Sequence, residues 1–153
     1  GIDAAIIGAL WAEGVIAEII LFAFSGKLVQ RMGPVAFLVL AAGAGIIRWS
    51  VLGTTTNLAA LVAVQGFHAF TFGAAHVAAM HFIAREIPAE FTATAQSLYS
   101  SFAVGTTMAL ALLAAGWLYG RYEGAAFYAM AGLTLVGGLI LVGLRSRASP
   151  ART

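Results

Sequence analysis

Five stretches of this chain, at about 4–25, 35–53, 58–84, 92–118 and 125–144, are apolar over the ~20 residues that a helix needs to cross a bilayer. Few other folds are open to such a sequence. It is 61% hydrophobic and only 9% charged, against roughly 25% charged in soluble domains, so a water-soluble fold of this size would have too little polar surface to cover its core. A transmembrane β-barrel needs ~10-residue segments of alternating polarity, and no segment here alternates. The sequence therefore specifies an all-α membrane protein, read as a single domain over 1–153 with five transmembrane helices and a basic tail at 145–153. The connections, at 26–34, 53–57, 85–91 and 119–124, are short, and consecutive helices are expected to be antiparallel neighbours.

Lys and Arg set the expected orientation, because cytoplasmic loops carry the excess of both. Lys27, Arg31, Arg85, Arg145, Arg147 and Arg152 fall on one side of the membrane, and Arg121 alone falls on the other. This places the C-terminus in the cytoplasm of a multi-pass inner-membrane protein. The basic residues are dispersed among loops and form no patch for nucleic acid. There is no cysteine, hence no disulfide or thiol chemistry. Gly-Ile-Asp at the start offers no initiator Met and no basic n-region, so it does not read as a signal peptide; the sequence reads as a chain entered midway. Small residues four apart (Gly8 and Ala12, Gly105 and Ala109, Gly116 and Gly120) are expected to let helices approach closely.

Ionisable groups lie well inside the apolar windows: Glu13, Glu18, Arg48, His68 and His76. At bilayer depth such a group costs at least ~2.5–3.5 kcal/mol, and its default reading is a site facing a cavity or a partner. With a rise of ~1.5 Å per residue, Glu18 falls roughly 7 Å deeper towards the cytoplasm than Glu13. Two layers are expected: Glu13, Arg48, Gln65 and His68 near the centre, with Glu18 and His76 below. Gln65, His68, Phe72 and His76 form one stripe on the third helix. Glu13 and Glu18 are ~140° apart on a straight helix, so one is expected to face a cavity while the other pairs with a neighbouring helix.

These residue types suit a proton-coupled carrier. A carboxyl group in low dielectric can load and release a proton as its exposure changes, and His titrates near physiological pH. Arg48 can hold an anion through two parallel hydrogen bonds, or be fixed in an ion pair with Glu13 or Glu18. The fourth helix carries Gln96, Tyr99 and Ser100 on one face, read either as cavity lining together with His76 or as interhelical hydrogen bonds. His81 lies near a helix end and reads as interfacial. The fifth helix is glycine-rich and uncharged, suited to a peripheral packing role. Trp117 suits the outer interface, whereas Trp11 and Trp49 suit either an interface or a substrate pocket. His68, His76 and His81 do not share a face, so no metal site is expected, and no cofactor either. No HExxH, CxxC or GxSxG motif is present, so no enzyme activity is expected.

The run Gly-Lys-Leu-Val-Gln-Arg-Met-Gly at 26–33 resembles the basic cytoplasmic loop of the major facilitator superfamily, with Gln30 at its acidic position. Trp-Ala-Glu-Gly-Val-Ile-Ala-Glu (11–18), Ile-Ile-Arg-Trp (46–49), Gln-Gly-Phe-His-Ala-Phe-Thr-Phe (65–72) and Ala-Gln-Ser-Leu-Tyr-Ser (95–100) resemble the 3-phenylpropionate transporter group, which is related to lactose permease. The resemblance implies that the five spans are helices eight to twelve of a twelve-helix bundle, a partial C-terminal half. It also implies that Arg48 and His68 match polar positions of the sugar permeases, and that Glu13 or Glu18 takes the place of the helix-eight acid. Thr71 stands where those permeases carry a further acid. The expected function is the C-terminal portion of a proton symporter for a small organic substrate, an aromatic carboxylate on this resemblance, working by alternating access. Its expected partners are that substrate, the lipid bilayer, and a missing N-terminal half or another copy of itself. The alternative is a self-standing membrane scaffold or subunit that oligomerises through its small-residue faces.

Overall fold

A computed structural model describes residues 2–148 of the chain. Arg152 lies outside the described residues, as do the side chains of Arg145 and Arg147. The first helix, α1, spans Ala4–Met32; Asp3 caps it, its Oδ1 accepting from the Ala5 N–H at 2.8 Å. It runs past the expected end near 25 because nothing between Gly26 and Met32 breaks a helix. At 29 residues it is about 43 Å long, longer than the ~30 Å hydrocarbon core. Lys27 and Arg31 thus stand on its final turns and not in a loop. The chain reverses at Gly33, whose φ of 79° suits glycine and whose N–H donates to the Val29 carbonyl. Pro34 then opens α2 (Pro34–Thr54) at the position where a missing N–H costs nothing.

Asn57 caps the third span, its side-chain oxygen accepting from the Ala60 N–H at 3.2 Å. That span, Leu58–Glu86, comprises α3 (Leu58–Gln65), a π-helical segment (Ala69–Ala74) and α4 (Ala75–Glu86). Pro88 forces Ile87 into extended backbone and ends it. The fourth span comprises α5 (Ala89–Leu98), a second π segment (Tyr99–Thr106) and α6 (Thr107–Tyr122). By length and apolarity alone 89–143 is one 55-residue run, but the 3₁₀ turn Glu123–Ala126, entered at Glu123 with φ 49°, separates α6 from α7 (Phe127–Ala148).

Successive spans from the first to the fourth touch one another, as expected of neighbours, whereas α7 packs chiefly along α2 and, among the described residues, meets α6 beside the turn, where the Tyr119 and Phe127 rings lie 6.2 Å apart. The α2–α7 seam is close because its residues are small: Gly138 faces the Ala42 methyl, Gly53 faces the Tyr128 ring, and Gly45 faces Thr134. Trp49 and Phe127 stack at 6.0 Å to close one end. α1, α2 and the third span meet around Val29, Phe37, Ala41, Ala74 and Ala78, with Phe37 fully buried. Among the described residues the small-residue pairs expected to bring helices together do not do so: Gly8, Gly116 and Gly120 have nothing near their missing Cβ, and Gly105 meets the Ser100 carbonyl of its own span. Spacing alone does not say which side of a helix its neighbour takes. Among the described residues the fourth span has no buried residue, and Leu110, Leu112 and Leu113 of α6 are exposed. Trp117 there carries the Arg121 guanidinium over its ring at 5.0 Å.

A Cβ on Gly45 would sit 2.6 Å from the Thr134 Cγ2. Gly45→Ala is therefore expected to destabilise the helix pair by about 1–3 kcal/mol, measured as a lowered unfolding temperature in detergent. Adding Thr134→Ser, which removes that methyl, should recover most of the loss.

Candidate functional site

The polar site lies where α1 and α2 both touch the third span. Ala41, Ala44 and Gly45 keep one face of α2 slim, and Arg48, one turn on, is drawn in with them to 9% exposure. Its guanidinium lies 4.6 Å from the Trp49 ring centre. Nη2 donates to the Gln65 Oε1 at 2.9 Å, while Nε is buried without an acceptor. Among the described residues no carboxylate pairs with Arg48; the ion pairs are His68–Glu18 and Arg85–Glu86. The fixed Arg–Glu pair that the sequence left open is thus not formed.

One turn below Gln65, His68 fits against Gly14, where a Cβ would meet the His68 Cβ at 3.3 Å. Glu18 follows Gly14 by one turn of α1 and brings its Oε2 to 3.8 Å from the His68 Nε2. That is ion-pair distance and too long for a direct hydrogen bond. Gly73 makes room for Glu18, its missing Cβ lying 3.2 Å from the Glu18 Cγ. The two expected layers are consequently joined, because Gly14 and Gly73 let Glu18 reach up to His68. Glu13 is half-buried and forms no hydrogen bond or ion pair among the described residues. The helix-one acid that faces the polar stripe is Glu18.

The stripe itself is a column of rings. His68 and Phe72 stack at 5.9 Å and 9°, and Phe72 and His76 at 6.2 Å and 4°. In a regular α-helix, residues four apart are offset by about 40°; the wider π turn over Ala69–Ala74 offsets them the other way, and the mixture aligns the rings. Such π segments occur often at functional sites. Trp11 lies beside His68 at 6.3 Å, and Phe22 and Tyr99 approach His76 at 6.3 and 5.7 Å. His68 and His76 each keep a buried Nδ1 without a partner. Below them a cleft of about 590 Å³ is lined by His76, His81 and Gln96 among apolar neighbours. Of the fourth-helix residues, Tyr99 approaches the His76 ring and Gln96 lines the cleft, whereas Ser100 is exposed and does not line it. Sequence reading did not single out Gly14 and Gly73 or the π segments; the available signal was a glycine about one turn from Glu18 (Gly14) and from His76 (Gly73).

Residues 1–130 match the family described as MFS_1 like. The chain belongs to that family. Among curated relatives of this MFS_1-like chain, the "Probable 3-phenylpropionic acid transporter" of Escherichia coli (strain K12) is 39% identical over 131 residues, which are 86% of this chain and 34% of that protein. The "Uncharacterized transporter YwbF" of Bacillus subtilis (strain 168) is 25% identical over 138 residues, 90% of this chain and 35% of that protein. The chain spans about a third of the length of both. No solved structure matches it.

Because Gly14 seats His68, Gly14→Val in a transporter carrying this MFS_1-like segment is expected to lower uptake at least about tenfold, the scale set by sub-ångström to ångström misplacement of a working group. Gly8→Val, which meets nothing, is the control and should transport normally. Initial-rate uptake, normalised to membrane-embedded protein, checks both.

Proposed function

We propose that this chain is the C-terminal portion of a secondary active transporter that moves a small organic anion, coupled to protons, by alternating access. Arg48 carries this reading. A guanidinium held at 9% exposure with one acceptor and a buried, unpaired Nε is costly to maintain, and a substrate carboxylate would supply the missing charge and the missing acceptors together. Trp49 lies against Arg48, and Trp11 and Phe72 offer further aromatic surface around His68. The name of the Escherichia coli relative supports an arylalkyl carboxylate such as 3-phenylpropionate. Glu18, paired with His68, is the proton carrier in this reading, and Glu13 is not.

Substrate sites in such transporters lie between two helical halves near mid-membrane. The reading therefore requires an N-terminal half as partner, with this chain spanning the inner membrane and its C-terminus in the cytoplasm. The 153-residue chain reconstituted alone is expected to give no net uptake of 3-phenylpropionate, whereas the parent transporter should accumulate it under an inward proton gradient. Accumulation by the isolated chain would overturn the two-half reading.

A further inference from the structure

Among the described residues, Gln65 supplies the acceptor for Arg48, its Oε1 standing 2.9 Å from Nη2. Gln65 is the last residue of α3, one turn beyond the buried Leu61, which sets it on the packed face of that helix. The contact fixes which way its amide points. A guanidinium only donates, so the Gln65 atom that meets it is the carbonyl oxygen, and the amide nitrogen is turned elsewhere. That nitrogen forms no hydrogen bond among the described residues and is not sealed by the protein; the same holds of the Arg48 Nη1, whereas Nε is sealed. Two open donor groups are thus each attached to the same carbon as an atom of the 2.9 Å hydrogen bond. Gln65 is also neutral. It occupies one guanidinium hydrogen without cancelling the charge, and among the described residues no carboxylate pairs with Arg48.

We propose that Gln65 is a second anchor for the substrate carboxylate: its oxygen holds the Arg48 guanidinium in place, and its amide nitrogen donates to the carboxylate that the guanidinium attracts. The inference rests on the organic-anion reading above and adds to it the residue that sets how the anion is held. A carboxylate accepts through two oxygens with about four lone-pair sites, so it takes hydrogens from the Arg48 Nη1 and the Gln65 Nε2 together. The hydrogen bond already made to Nη2 orders the guanidinium before the ligand arrives, and less side-chain freedom is lost on binding. The uncharged amide matters as much as its donor. A glutamate at this position would put a carboxylate where Oε1 now stands, and the arginine would pair within the protein instead of with the substrate.

Calorimetry on the purified parent transporter tests this, with 3-phenylpropionate and its neutral amide as the two probes. Gln65→Met keeps the length of the side chain and removes both polar atoms. It is expected to weaken binding of the acid at least about tenfold, the scale of one hydrogen bond to a charged group, and to weaken the amide less. Gln65→Glu is nearly the same shape and sets a carboxylate against Arg48. Here the acid is expected to bind at least about 100-fold more weakly than in the wild type, because a like charge already holds the guanidinium, while the amide shows no comparable loss. Retained amide binding reports that each variant is folded. Wild-type affinity for the acid in Gln65→Met overturns the second anchor and leaves Arg48 to hold the carboxylate alone. Equal losses of acid and amide in both variants would assign Gln65 to packing and overturn it as well. Equal affinities of acid and amide for the wild-type protein sink the organic-anion reading itself, and the anchor with it.

Discussion

Replacing Arg48 by alanine in the parent transporter is expected to lower 3-phenylpropionate uptake at least about 100-fold while the protein still reaches the membrane. Loss of one member of a buried, hydrogen-bonded charge pair typically costs 2–5 kcal/mol or more, and here the pair is completed by the substrate. Gln65 accepts only one of the guanidinium hydrogens, so the folded protein alone loses little when Arg48 goes. Arg48→Lys should not restore uptake: the ammonium is a point charge that cannot reproduce the two-pronged contact of the guanidinium, which lies 4.6 Å from the Trp49 ring centre. Uptake normalised to surface-embedded protein measures the effect. Wild-type rates in Arg48→Ala would reduce Arg48 to a partner of Gln65.

The second large effect separates the two glutamates. Glu18→Gln keeps the side chain's shape but removes its ability to carry a proton, and it is expected to reduce accumulation against a gradient at least about tenfold and to flatten its dependence on external pH. Glu13→Gln should keep the wild-type pH profile. The difference follows from contacts: Glu18 lies 3.8 Å from the His68 Nε2 and is seated by Gly73, whereas Glu13 has no polar partner among the described residues. Accumulation measured from pH 5.5 to 8 in both variants decides it. Identical wild-type profiles would remove Glu18 from proton coupling.

Much of this arrangement is legible in the sequence because the membrane makes each polar residue conspicuous. Arg48, Gln65, His68 and His76 stand out against apolar windows, and helical periodicity places the last three on one stripe, where the ring stacks put His68 and His76. The choice between Glu13 and Glu18 is not legible, since both are carboxylates in the same helix and the decision rests on two glycines, Gly14 of that helix and Gly73 of the third span. Nor is the π segment Ala69–Ala74, because a change from i+4 to i+5 hydrogen bonding leaves no residue signature. Glycine spacing misleads for a related reason. Gly8 and Gly116 have the pattern of a contact face but meet nothing, while Gly45 and Gly138, outside the expected pairs, form the α2–α7 seam. Helix ends follow breakers and not hydropathy, which is why α1 continues to Gly33.

Arg48 as the anchor of an organic carboxylate is the claim on which the rest depends, and direct binding tests it without reference to coupling or flux. Calorimetry on the purified parent transporter should detect 3-phenylpropionate binding that weakens at least about 100-fold when the carboxylate is replaced by its neutral amide, in line with the cost of leaving a buried charge unpaired. In Arg48→Ala the acid and the amide should bind alike. Equal affinities of acid and amide for the wild-type protein would contradict the assignment.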